Sequence, residues 1–281
     1  MRTHLDCLPC FLRQSLIALR LGTEDTSLQE TIVKTTLEYI QETDFSRPPA
    51  YTTTFIHRKI RQMLGRDPFK GIKSKYNNIA LEMYPALKSI IKRSNDPLQT
   101  ATRLAIAGNV IDFGIFTSIN IEETISRALN NSLSVDHSII FRDSVEAAEE
   151  VLYLTDNAGE IVFDRLLIEE LISQGKKILA VVKGSPVIND STFSDAEESG
   201  ITEICEVIEN GSDGVGTILE WTSSAFRGAF DKAQLVISKG QGNFETLSCI
   251  DKEMFFLFQA KCNVVSKELG LSKGSMLLKK S

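Results

Sequence analysis

The sequence predicts an α/β protein in which a mainly parallel sheet, covered by helices on both faces, follows an all-helical N-terminal region. Two patterns predict it. Over residues 1–100 apolar residues recur at helical spacing without β alternation, whereas from Val151 onward short β-rich runs alternate with helical segments. Strands alternating with helices give parallel strands with helices on both sides. A third observation is chemical: three strands run into polar turns, and in a parallel sheet such turns share the carboxyl edge, where ligands bind. The boundary falls near Asp96-Pro97, giving a helical region over 1–95 and an α/β domain over 96–281.

The elements follow in order. Cys7-Leu8-Pro9-Cys10 opens a helix whose Leu12, Leu16 and Leu19 lie near one face and which Gly22 closes. Thr26 to Gln41 carries Leu28, Ile32, Val33, Leu37 and Ile40 at helical spacing, and Pro48-Pro49 then breaks the chain. Thr52 to Leu64 repeats the pattern and ends at Gly65, and Asn77 to Arg93 adds a helix that Pro85 bends or interrupts. Arg58, Lys59, Arg61, Lys70, Lys73 and Lys75 read as a solvated helix face. Asp96-Pro97 begins a small, apolar, buried helix in which Asn109 and Asp112 stand three apart, near Gly108 and Gly114. A polar pair in such a stretch needs partners or a ligand, so buried hydrogen bonds and a place in a site are both open. Glu122 to Asn131 is a polar helix.

The period then changes. Val151 to Leu154 is a strand, Asp156-Asn157-Ala158-Gly159 a turn, and a helix begins near Glu160. Lys177–Val182, Ile204–Ile208 and Gln234–Ser238 are further strands, with helical patterning over Ile161–Ser173 and Phe244–Gln259 and a last strand expected at Cys262–Ser266. His4, His57 and His137 share no motif and read as surface or capping residues.

Composition narrows the function classes. Apolar residues make up 42% and charged residues 24%, as in soluble globular proteins. Thirty-seven acids against thirty-one bases give a net charge of -6 with no block of one sign, so the footprint of a nucleic-acid binder is missing. The absence of a long apolar run and the polar residues within 1–20 point to a cytoplasmic protein without membrane partners. Five cysteines, an odd number, fit reduced thiols better than a disulfide framework. Cys7 and Cys10 are spaced to share a metal or substrate, to form a redox pair, or to serve as structural thiols, and no second C-x-x-C completes a zinc site.

The polar turns carry the chemistry. They hold Asp156-Asn157, then Lys183-Gly184-Ser185-Pro186 with Asn189-Asp190, then Lys239-Gly240-Gln241-Gly242-Asn243. As turn formers and caps, Asp156 and Asn157 have an ordinary reading. Converging on one edge, two carboxylates and an amide oxygen form a hard oxygen set suited to magnesium or manganese, which take phosphate oxygens as further ligands. Lys183 and Lys239 add point charges, and the glycine turn offers backbone N–H groups. Other motifs fail on spacing: Glu245 stands where a dinucleotide fingerprint needs its third glycine, no P-loop or G-x-S-x-G occurs, and the first turn reads D-N-A where an aspartyl-nucleophile motif has D-x-D.

T-D-N-A-G-E at 155–160, V-K-G-S-P-V-I-N-D-S-T at 182–192, I-S-K-G-Q-G-N-F-E-T-L at 237–247, A-G-N-V-I-D-F-G at 107–114 and the N-terminal C-L-P-C together resemble the metal-dependent damage-control phosphatases, in their prokaryotic branch with the C-x-x-C. The resemblance implies a Rossmann-like three-layer α/β/α domain preceded by helices, a divalent metal on Asp156, Asn157 and Asp190, and a substrate phosphate met by Lys239. It implies a phosphomonoester hydrolase acting on small phosphorylated metabolites. On that reading magnesium, manganese, cobalt or nickel bridges the three ligands and a phosphoryl oxygen. Lys183, Lys239 and the amides of Gly240, Gly242 and Asn243 meet the phosphate, and Asn109 and Asp112 wall the site. The nucleophile is a metal-oriented water in preference to Asp156 or Asp190. Two readings compete: a nucleotide- or cofactor-binding module without hydrolysis, and an S-adenosylmethionine-dependent methyltransferase, against which stands the missing glycine-rich loop after the first strand.

Overall fold

The computed structural model describes residues 1–110 and 121–281. Four helices come first: α1 (Cys7–Gly22), α2 (Thr26–Gln41), α3 (Pro49–Leu64) and α4 (Lys70–Arg93). Asp25 caps α2, accepting from the backbone N–H groups of Ser27 and Leu28 at 2.9 and 3.1 Å. Pro49 occupies the first turn of α3, where a missing N–H costs nothing, so the proline pair starts this helix as well as separating it from α2. Pro85 lies inside α4 without ending it.

After α5 (Pro97–Val110), α6 (Ile121–Asn130), the short strand β1 (Val135–Asp136) and α7 (Ser138–Ala147), the alternation begins. It runs β2 (Glu150–Leu154), α8 (Glu160–Ser173), β3 (Lys177–Val182), α9 (Phe193–Glu198), β4 (Glu206–Glu209), α10 (Ser224–Lys232), β5 (Leu235–Lys239), α11 (Gln241–Leu247), β6 (Phe255–Gln259), α12 (Asn263–Glu268) and β7 (Met276–Lys280). The strands make one sheet in the order β1-β7-β6-β5-β2-β3-β4, parallel at every junction but the antiparallel β6–β7 pair. Strands β3 and β4 lie on one side of β2, β5 and β6 on the other. The connections therefore diverge at β2 and β5, opening a crevice beyond their carboxyl ends. Leu154 pairs with Ser238, which brings Asp156 level with the Lys239-Gly240 turn.

Alternation along β2 divides the core. Val151 and Tyr153 pack with α4, α5 and α8 on one face, and Leu152 and Leu154 with α10 and α11 on the other, which gives three layers. Each such fully buried aliphatic or aromatic side chain contributes about 1.5–3 kcal/mol. A third cluster joins α1 to α3 with Val187, Ile188 and Val264, so the helical region packs directly on loops at the crevice.

Toward the end of the chain two expectations fail. Cys262–Ser266 is not a strand: its residues begin α12, with the Cys262 thiol accepting from Val265 N–H at 3.5 Å. Strand β6 falls inside the stretch read as helix, because F-F-L-F is apolar on both faces, as a central strand covered on both sides requires, and shows no period of 2. Among the described residues no helix is long and apolar enough to cross a membrane.

Candidate active site

The turns after β2 and β3 are zipped together. Asn157 and Asp190 form an antiparallel bridge, Ser191 N–H donates to Asp156 O at 2.7 Å, and Ala158 N–H donates to Asn189 O at 2.8 Å. The Thr155 and Ser191 hydroxyls lie 2.7 Å apart, and Thr155 Oγ1 also donates to Val181 O at 2.7 Å. Helix α4 braces the pair: Asn77 Oδ1 accepts from Gly159 N–H at 2.6 Å, and the Lys73 ammonium reaches Asp195 Oδ2 at 3.0 Å and Asp190 O at 3.4 Å. Ile188, two residues before Asp190, sits at φ +44°, a left-handed conformation costly for a β-branched residue and held by burial among the helices of α1 to α3.

Asp156, Asn157 and Asp190 thus lie buried together at the crevice. Asp156 Oδ2 accepts from Asn157 Nδ2 at 2.8 Å and Asn109 Nδ2 at 3.0 Å, and the same two amides donate to Glu160 Oε2 at 2.9 and 3.0 Å. Asn109 Oδ1 accepts from Gln259 N–H at 3.1 Å, so this residue joins α5 to β6 and the acidic turn. Burial, then the negative charges of Glu160 and Asp190, raise the Asp156 carboxyl well above the usual range, against the pull of Lys261 and Lys183. Gly240 brings its backbone against this carboxylate: a Cβ there would stand 1.9 Å from Asp156 Oδ2.

Lys239 behaves differently from expectation. Its ammonium is 0% exposed and donates to Glu160 Oε1 at 2.6 Å, Asp164 Oδ1 at 2.5 Å and Ala105 O at 2.9 Å. An ammonium has three protons, and all three are taken. In this arrangement Lys239 lies behind the acidic turn as counter-charge to α8. Burial pushes the Asp164 carboxyl up to about 7, with the Lys239 charge opposing. Lys183 does face the site, 3.3 Å from Asp190 Oδ2, with its ammonium also donating to Gly216 O. The Asn243 side chain ties strands, donating to Lys239 O at 2.8 Å and Thr155 O at 3.2 Å and accepting from Thr217 Oγ1 at 2.8 Å. Gly242 packs against Gly216.

Asp112 lies outside the described residues. Cys7 and Cys10 stand apart from the acidic turn, in the first turn of α1, as free thiols beside Cys262 and Glu245. Burial raises the Cys7 thiol, with the charges of Glu245 and Cys262 adding to it, whereas Cys10 is exposed. Among the described residues no group of three or more His, Cys, Asp or Glu is arranged to hold an ion, so the C-x-x-C gains no ligand set, and the acidic turn offers two carboxylates and an amide.

Sequence reasoning missed Glu160, Asp164 and Lys261. The first two are four apart on one face of α8, a spacing legible from the chain. Lys261 follows β6, whose strand character was hidden. Nor are Arg58, Arg61 and Lys73 a solvated face, since all three bind carboxylates of the α/β part, and His57 is buried, its imidazole pushed down to about 3 by burial and then by Arg61.

The sheet and its switch point define a Rossmann-like α/β/α protein with a buried acidic turn at the carboxyl edge. The damage-control phosphatase ARMT1-like domain matches residues 3–277, and the chain belongs to that family. A damage-control phosphatase of Pyrococcus horikoshii is 35% identical over 283 residues, covering 99% of this chain and 97% of that one. A damage-control phosphatase of Archaeoglobus fulgidus is 34% identical, covering 97% of each, and an uncharacterized protein of Methanocaldococcus jannaschii is 39% identical over 98% of this chain and 94% of its own. The crystal structure of a DUF89 family protein from Pyrococcus horikoshii superimposes with a TM-score of 0.88 at 33% identity, covering 100% of this chain and 99% of that one.

Proposed function

We propose that this protein is a divalent-metal-dependent phosphatase acting on small phosphorylated metabolites, with its reaction centre where the turns after β2 and β3 meet. The observation that carries this reading is the zipped Asp156–Asn157–Asp190 set at the switch point. The donor set fits a hard cation: two carboxylates and an amide oxygen supply oxygen ligands, and burial together with the nearby charges of Glu160 and Asp190 raises the Asp156 carboxyl, a cost that a divalent ion would offset. Asp156, Asn157 and Asp190 would hold magnesium, manganese, cobalt or nickel. When bound, such an ion supplies Lewis-acid stabilisation of a phosphoryl oxygen and an oriented water.

The chain's own residues do the rest. Asn109 and Glu160 fix the Asp156 carboxylate and the Asn157 amide, leaving the Asn157 carbonyl oxygen as the ligand atom. Lys239 neutralises Glu160 and Asp164 and so acts as a positioning residue. Lys183 and Lys261, at the crevice and close enough to act on Asp156, meet the phosphate oxygens, and burial keeps competing water out. Phosphate release from p-nitrophenyl phosphate and from sugar phosphates, with metal-stripped protein and each of the four ions, tests the reading. The expected result is ion-dependent turnover that Asp190→Ala lowers by about 10²-fold or more, the several kcal/mol that metal stabilisation supplies. Tight nucleotide binding with no phosphate release under any ion would overturn it in favour of a binding module.

A further inference from the structure

The segment 210–217 leaves β4 at the carboxyl edge and crosses the crevice. On its inner side Gly216 O accepts from the Lys183 ammonium, and Thr217 donates from N–H to Thr246 Oγ1 at 2.9 Å and from Oγ1 to Asn243 Oδ1 at 2.8 Å. Its outer side is held by the helical region. Arg58 Nε lies 2.8 and 2.9 Å from the two Asp213 oxygens, Arg58 Nη2 2.6 Å from Oδ1, and Arg61 Nη2 2.5 Å from Oδ2. Two residues on, Val215 N–H donates to Thr54 Oγ1 at 2.9 Å. The Arg58 guanidinium is fixed in turn, 4.7 Å from the Trp221 ring centroid and 5.7 Å from that of Phe55. Burial opposes ionisation of Asp213, yet the two guanidiniums hold its carboxyl below the usual range.

We infer that Asp213, gripped by Arg58 and Arg61 of α3, is a positioning residue: it seats the segment so that the Gly216 carbonyl sets the Lys183 ammonium against Asp190. Partly exposed ion pairs contribute little to overall stability, so what a forked, two-arginine grip fixes is place. Helix α3 then governs the metal site through this segment. This inference rests on the reading of Asp190 as a metal ligand and Lys183 as a phosphate contact.

The test uses the full chain with Asp213→Ala, Asp213→Glu and the double variant Arg58→Ala/Arg61→Ala. It reads manganese affinity by calorimetry and kcat and KM for p-nitrophenyl phosphate, each per folded molecule as judged by thermal melting. Displacement of a charged group by about 1 Å costs up to about 10²-fold, so Asp213→Ala and the double variant should lose between about 10-fold and 10²-fold in kcat with weakened manganese binding, while Asp213→Glu recovers most of the loss. A merely structural contact would lower the melting temperature and leave kcat and manganese affinity of the folded fraction unchanged; that result, within about twofold, overturns the inference. The grip is removed from opposite sides in the two variants, so misfolding of one leaves the other to decide. Absence of ion-dependent turnover in the unaltered chain overturns the phosphatase reading itself, which is a separate outcome.

Discussion

Replacing Gly240 by alanine tests the site at its tightest point. The glycine sits at φ 83° and ψ 158°, a region that only glycine enters freely, and its backbone lies against the Asp156 carboxylate. A Cβ would fall 1.9 Å from Asp156 Oδ2 and 2.1 Å from its Cγ, whereas ordinary contact begins at 3.4 Å. The carboxylate or the turn must therefore retreat by about 1.5 Å, and a displacement of this size at a reacting centre costs about 10²-fold in rate. Backbone strain adds about 1–3 kcal/mol of destabilisation, equivalent to a fall of roughly 2–8 °C in melting temperature. The assay pairs ion-dependent phosphate release with thermal melting. A folded Gly240→Ala protein turning over at the unaltered rate would show that the position of Asp156 does not matter, and the proposed ligand set would fall with it.

Other perturbations separate the roles of neighbouring groups. Lys239→Met leaves Glu160 and Asp164 buried without their shared counter-charge, and breaking a buried pair in this way costs about 3–5 kcal/mol, measurable by urea unfolding without metal or substrate; unchanged stability would refute the positioning role. Burial pushes the Glu245 carboxyl from 4.5 up to about 7, so the folded state binds its proton more tightly than the unfolded chain does. Its contribution is fully favourable below pH 4.5 and is lost as pH rises through about 7, a span of about 3 kcal/mol that Glu245→Gln should flatten in melting curves between pH 5 and 8. A divalent ion at 100 times its dissociation constant should stabilise the chain by about 2.7 kcal/mol, and Asp190→Ala should abolish that gain.

What the chain disclosed of itself depended on which physical signal each residue carries. The bounds of α1 and α2 are visible because one apolar face repeats at helical spacing and Gly22 and Asp25 punctuate it. The signal fails at β6, where every apolar side chain is buried, and at β1, where two residues carry no period. In the site, Asp156 and Asn157 are legible as adjacent oxygen ligands after a strand, but their bridge to Asp190 belongs to the sheet's topology. Lys239 was legible as a lysine ending a strand; its direction was not. The strand L-V-I-S-K is buried throughout, and a lysine in such a strand is found only with partners. The complementary clue, Glu160 and Asp164 on one face of α8, lies in another part of the chain.

The arrangement of charge gives these parts one logic. Asp156, Glu160, Asp164 and Asp190 crowd the carboxyl edge, and Lys183, Lys239 and Lys261 answer them. Lys239 is committed to Glu160 and Asp164, deep behind the turn, so the negative charge left toward the crevice is that of Asp156 and Asp190, with Lys183 and Lys261 beside it. Such a surface repels a bare phosphate dianion less than an all-acid pocket would, but still requires added positive charge before it can bind one well. On the proposed reading, a divalent ion held by Asp156, Asn157 and Asp190 would leave the crevice net positive, and Lys183 and Lys261 would then meet the phosphate oxygens beside it. That reading puts the metal first and the phosphorylated substrate second. Calorimetric titration of phosphate into the protein with and without manganese should therefore show phosphate affinity rising with metal occupancy, and phosphate binding of equal strength in metal-stripped protein would contradict this account of the charge.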